Sequence, residues 1–271
     1  MPPRLATLAT TAPTAALEIT VWRADITREY QPGQHRPQAM NYYAGQLAEG
    51  VRLDAPQSAG RILFPFSAIG GLPTIARWVK VARQYQTVVG SLLSIRYAAG
   101  LYTENRFNNV ISAAESFHRL RFSNELRPKD EYKQFVSELV KLVPKEHRGW
   151  LNNQLQFSNE PRLKSRLAEM ATYAGEAFTA LYDDPDAWVQ VVTESRNRLT
   201  HHDKDRAIDF KSGDLHFITE SVFTLVMLCL FRECEMDDKA LTAIAESGSI
   251  RFLRAKLTEI IPRLHEQVKR K

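Results

Sequence analysis

From Leu72 to the C-terminus, apolar residues recur every three or four positions with almost no two-residue alternation. This period commits most of the chain to helices sharing one core. Ile75, Trp78, Val79, Ala82, Tyr85, Val89, Leu92 and Leu93 keep one register behind Pro73, a residue suited to a first helical turn. A second helix, Thr103 to Phe122, carries Phe107, Val110, Ile111, Ala114, Phe117 and His118 on one side. Pro128 and Pro144 bracket an amphipathic stretch, Tyr132 to Leu142, and Glu146 to Phe157 gives a shorter one. Pro161 starts a helix with Leu163, Leu167, Met170, Tyr173, Ala174 and Phe178 in register. Asp184-Pro185-Asp186 opens another through Trp188, Val191 and Val192. Ser212-Gly213-Asp214 precedes the most apolar helix, Leu215 to Cys234, and Ile250 to Leu264 gives the last. About eight helices with short links predict an all-α bundle over residues 67–271. Trp78, Trp150 and Trp188 sit in these patterns and read as core residues.

Residues 1–66 form an N-terminal extension of a different kind. Met1 to Ala16, rich in Ala, Thr and Pro, reads as a disordered start. Its apolar run, Leu5 to Thr10, is too diluted with threonine for a signal peptide. Leu17 to Trp22 is β-branched and weakly alternating, which fits a strand; Pro32-Gly33 and Arg36-Pro37 punctuate a loop. Arg61 to Phe66 is a second short extended candidate.

A net charge of +5 is compatible with a nucleic-acid partner without amounting to a basic tail. The two cysteines, Cys229 and Cys234, make neither a disulfide framework nor a zinc site and read as buried apolar residues in a reducing cytoplasm. The run Val222 to Phe231 is too short to span a bilayer and reads as core, so no membrane partner is expected. No cofactor is expected either. Glu115 and His118 have metal-ligand spacing, but no second pair accompanies them on another helix.

The chemistry concentrates in Arg196-Asn197-Arg198-Leu199-Thr200-His201, at the end of a helix. Metal-independent cleavage of RNA needs a base for the 2′-hydroxyl proton, an acid for the leaving 5′-oxygen and a fixed cation for the phosphorane. Histidine titrates near neutrality, and arginine offers a permanent planar fork to phosphate oxygens. With 24 arginines and 7 histidines in 271 residues, an Arg five places before a His is expected by chance about 0.6 times. Requiring Asn beside the Arg lowers this to about 0.02. On a straight helix Asn197 and His201 share a face, whereas Arg196 and His201 stand about 140° apart. Either the helix unwinds around Thr200 to Asp203, or two copies of the motif face each other across a two-fold axis.

This Arg-Asn-x-x-x-His signature on a helical bundle resembles that of HEPN domains. The stretches Leu93-Ser94-Ile95-Arg96-Tyr97, Glu104-Asn105-Arg106-Phe107 and Ala114-Glu115-Ser116-Phe117-His118-Arg119 resemble the C-terminal HEPN region of ApeA-type anti-phage proteins, over roughly residues 64–265. The resemblance implies a homodimeric endoribonuclease of abortive infection that cleaves cellular RNA, with tRNA as an implied target. It places the catalytic pair on Arg196 and His201, with Asn197 beside the Arg, His202 as the rival histidine, and Glu115 as an acidic residue from an earlier helix. Arg198, Lys204 and Arg206 are candidate RNA contacts.

Other readings stand beside these. One alternative is a non-catalytic HEPN module that binds RNA, a nucleotide or a partner protein; another is a helical interaction protein. Arg196 and His201 also suit a solvated helix C-terminus, where cations complement the dipole. Glu115 also has the spacing to pair with Arg119 one turn on, and His202 to Arg206 reads most simply as a solvated turn. Arg119, Arg121, Arg127 and Lys129 form a basic stretch that reads as either a phosphate track or a solvated helix end.

Overall fold

Twelve helices and one small hairpin follow from this pattern in a computed structural model, which describes residues 2–10, 20–41, 62–98, 100–201 and 208–270. The bundle's centre is its most apolar helix, α10 (Asp214–Glu233), in which every residue from Ser221 to Phe231 is buried. By length and composition α10 is capable of crossing a membrane, which its ten-residue apolar run does not suggest. Here 83% of its apolar window lies inside the bundle. Around it pack α3 (Gln86–Tyr97), α4 (Thr103–Arg121), α7 (Leu163–Ala174), α9 (Pro185–His201) and α12 (Gly248–Lys269). α4 lies on α3 and α10, while α9 lies against α7 and α12 and also touches α4. Apart from the N-terminal hairpin the described residues are all-α.

Several helices are divided where periodicity alone ran them together. The first register breaks at Tyr85 into α2 (Leu72–Gln84) and α3, with Trp78, Tyr85 and Leu92 fully buried across the break. The Pro161 helix stops at Gly175, whose φ of +63° ends α7 and starts α8 (Glu176–Leu181). α11 (Asp238–Ala245) had no separate expectation; Asp237 caps it by accepting from the amide of Ala240.

The N-terminal region differs from its sequence reading. Pro2–Thr10 is helix α1, not a disordered start, because Leu5 and Leu8 are buried against α2 and α3, and Leu63 N–H donates to Ala9 O at 2.8 Å. Residues 11–19 lie outside the described residues. β1 (Thr20–Gln31) and β2 (Gln34–Asn41) form an antiparallel hairpin that turns at Pro32-Gly33, so Arg36 and Pro37 belong to a strand. Pro37 is tolerated there because it sits opposite Thr27, beside the register shift that follows Trp22. The second extended candidate forms no strand over Ile62 to Pro65, and Phe66–Ile69 is a 3-10 turn; Arg61 lies outside the described residues.

α5 (Lys129–Leu142) and α6 (Lys145–Leu155) stand apart as a hairpin arm without a buried residue. Trp150 is therefore not a core residue: it is 64% exposed, because α6 packs on α5 rather than on the bundle. Trp78 and Trp188 are fully buried as expected, and both cysteines are free and buried.

Candidate active site

α9 is positioned before its motif begins. Asp184 accepts the amide of Ala187 at 2.9 Å and caps its start, and Trp188 Nε1 donates to Ser221 Oγ on α10 at 2.8 Å. Val191, Val192 and Ser195 continue the buried stripe, and Leu199 packs against the core at its far end. His265 Nε2 and Gln190 Oε1, 3.0 Å apart, tie α12 to the opposite flank.

The helix runs without a break to His201. The unwinding that would bring positions 196 and 201 together does not occur within α9, so they stay about 140° apart around its axis. Arg196 flanks the buried stripe, whereas Asn197 points away from it, within about 40° of position 201. Both side chains are half-buried. Thr200 Oγ1 donates back to Arg196 O at 2.9 Å, which spends the hydroxyl within the helix.

The difference in partnering among the arginines is the site's clearest feature. Arg96 is paired with Glu220, Arg121 with Glu233, Arg166 with Glu160, Arg232 with Asp238 and Arg263 with Asp214. Among the described residues the Arg196 guanidinium has neither a carboxylate nor a hydrogen-bond partner, and the Asn197 side-chain amide is also unpartnered. A half-buried guanidinium without a counter-ion is a ready anion site. Arg198 is placed differently: its guanidinium carbon lies 4.9 Å from the Phe210 ring centroid, and Nη1 is buried without a partner. The side chain of His201, together with His202, Lys204 and Arg206, lies outside the described residues.

Glu115 sits half-buried on α4, and its charge acts on Arg166. It belongs to a polar cluster that spacing did not reveal. His118, wholly buried, lies between Arg166 Nη1 on Nδ1 at 2.9 Å and Glu169 Oε2 on Nε2 at 2.8 Å. Arg166, 1% exposed, also donates to Pro161 O, Asn124 Oδ1 and Glu160 Oε2. With both ring nitrogens occupied, His118 has no lone pair for a metal. Glu115 does not hold Arg119 either, since Arg119 reaches Glu160 at 3.2 Å. No group of three metal-ligating side chains occurs among the described residues. The rest of the basic stretch is similarly engaged: Arg121 with Glu233, Lys129 with Glu125, and Arg127 over the Phe135 ring.

Residues 108–240 match the family model of the Apea-like HEPN. The matched region runs from α4 to α11 and contains Glu115 and the motif, but it excludes the Leu93–Tyr97 and Glu104–Phe107 stretches. No curated protein and no solved structure matches the chain significantly.

Proposed function

Because residues 108–240 form an Apea-like HEPN domain, we propose that this chain is a metal-independent endoribonuclease of anti-phage defence, with Arg196, Asn197 and His201 as its catalytic residues. The observation that carries this reading is that, among the described residues, the Arg196 guanidinium and the adjacent Asn197 amide have no partner, on a helix unbroken to His201. The other half-buried arginines have a carboxylate, a backbone carbonyl or, for Arg198, an aromatic face, so among the described residues this pair is left for an outside anion, and RNA supplies phosphate.

The site is shared between two copies of the chain. Since positions 196 and 201 diverge on one helix, a two-fold axis beside the end of α9 sets Arg196 of one copy against His201 of the other. One His201 takes the 2′-hydroxyl proton as O2′ attacks phosphorus. The P–O5′ bond breaks, and the second His201 protonates the departing 5′-oxygen. Arg196 and Asn197 donate to the non-bridging oxygens as charge builds on the phosphorane. The products are a 2′,3′-cyclic phosphate and a 5′-hydroxyl. Glu115 lies on α4, which touches α9, and is assigned to orienting this site through its neighbours rather than to proton transfer.

The test is cleavage of total RNA and of purified tRNA, with end-group analysis, by wild type, His201→Ala, His202→Ala and Arg196→Ala. Loss with His201→Ala and Arg196→Ala but not with His202→Ala is the expected pattern. Equal cleavage by wild type and His201→Ala removes His201 from the mechanism. RNA binding without turnover by the wild type reduces the domain to a binding module.

A further inference from the structure

Alone among the described helices, α5 and α6 contribute no buried residue, although α5 carries an apolar stripe. Their hairpin is nevertheless firmly tied. Tyr132 Oη donates to Leu155 O at 2.6 Å across it, and Arg148 donates to Val143 O and Lys141 O at its tip. At its base Leu126 N–H donates to Asn159 O at 2.8 Å, and the Asn159 side chain bonds both ways with the Arg127 backbone. A structured arm with half-covered apolar residues is an interface waiting for its other half.

Two complementary features occur on this one arm. Between α5 and α6 runs a groove of about 850 Å³ with Tyr132, Val136, Val140 and Leu155 along its floor. The carboxylates at its end are already spent, Glu125 on Lys129 and Glu160 on Arg119 and Arg166. Lys133 and Lys141 are left as rim charges. The nearest carboxylate to Lys133 is Asp130 at 3.8 Å, with both side chains open to solvent, and Lys141 has none among the described residues. The second feature is a ridge. Glu146, Trp150 and Phe157, four and seven residues apart, fall on one face of α6 and its following turn. Trp150 and Phe157 are 64% and 70% exposed.

We propose that the groove's occupant is the arm of a second copy of this chain: each copy lays its Trp150–Phe157 ridge in the other's groove, with Glu146 against the partner copy's lysine rim. The charges match, acidic ridge to basic rim. A nucleic acid fits less well, because residues 129–155 hold five cations against four carboxylates, a surplus of one and too little for a phosphate track. Four such rings bury on the order of 600 Å², and the floors they cover roughly double this, near the lower limit of a specific interface. The proposal rests on the arm alone and does not depend on the ribonuclease reading.

Sedimentation velocity on the full chain across a micromolar range tests it. The wild type is expected to dimerise. The double variant Trp150→Ala/Phe157→Ala and the groove variant Val136→Glu should each weaken association about tenfold or more, because central aromatic anchors dominate such interfaces. Their circular dichroism should stay unchanged, as none of these residues is buried. Mixing the two variants should restore part of the association, since one intact ridge then meets one intact groove. A monomeric wild type overturns the proposal, as does a dimer indifferent to both variants, or arm variants that lose RNA affinity while still dimerising. Active RNA cleavage by a dimer indifferent to the arm leaves the ribonuclease reading intact. An arm-dependent dimer that never cleaves RNA does the reverse.

Discussion

Arg166 Nη1 lies 2.9 Å from His118 Nδ1 and fixes the tautomer of a wholly buried histidine. A guanidinium only donates, so Nδ1 accepts, and the remaining imidazole proton sits on Nε2, facing Glu169. Desolvation, reinforced by the Arg166 charge, holds the His118 pKa below the usual histidine value, while the bond to Glu169 works in the opposite direction. In the unfolded chain this histidine titrates near ~6.5. As pH falls below that value the unfolded state takes up a proton that the folded state refuses, so stability drops. Thermal melts from pH 7.5 down to pH 5 should show falling Tm in the wild type and a flatter profile in His118→Gln. Parallel profiles would show that His118 is not the group responsible.

Arg166 and Arg196 make opposite predictions. Removing Arg166 leaves Asn124 Oδ1, Pro161 O and the His118 ring without their donor and takes one of two cations from Glu160, so Arg166→Met should cost about 3–5 kcal/mol. The Arg196 guanidinium holds nothing among the described residues, so Arg196→Met should stay within about 0.5 kcal/mol of wild type. It should also slow RNA cleavage about a hundredfold, the usual effect of losing one transition-state donor. Urea titration and initial cleavage rates on the same preparations check both halves. An Arg196→Met variant that unfolds like Arg166→Met would make Arg196 a structural residue.

The two arginines also mark where the sequence was readable. The helices were legible because burial follows one local period, as Leu167, Met170 and Ala174 show. The motif was legible because Arg196, Asn197 and His201 lie within one short stretch of helix. Arg166 was not legible, because its partners Asn124 and His118 lie 42 and 48 residues away, brought close only by tertiary packing. Trp150 was misread for a related reason: periodicity shows that a helix has an apolar face but not what covers it. The breaks at Tyr85 and Gly175 were missed because the apolar register continues past both.

Trp188 joins α9 to the core through one polar atom, its Nε1 donating to Ser221 Oγ at 2.8 Å in the interior. Trp188→Phe keeps the edge contact with Phe178 but removes that donor and leaves a void where the second ring was. A loss of about 1–3 kcal/mol is expected. The variant should cleave RNA normally while folded, because the motif begins two turns further on. Calorimetry beside an activity assay at low temperature separates the two effects; a rate lost without a change in Tm would show that this anchor sets the site's geometry rather than its stability.

Gly175 turns the chain between α7 and α8 with φ +63° and ψ −137°, a combination open essentially to glycine alone. The turn helps set the line along which α9 returns beside α7, and so where its motif lies. A Cβ at this position would stand 3.3 Å from Arg232 Nη2, which is held by Ala174 O and by Asp238. Gly175→Ala therefore meets both backbone strain and a side chain that is not free to retreat. A loss of about 1–3 kcal/mol follows. Arg232→Lys should relieve the steric part only, so the double variant should recover a fraction of the loss and never all of it. Equilibrium unfolding of the two single variants and the double variant measures this. Full recovery would show that the backbone at Gly175 is unstrained, and that only the arginine stands in the way.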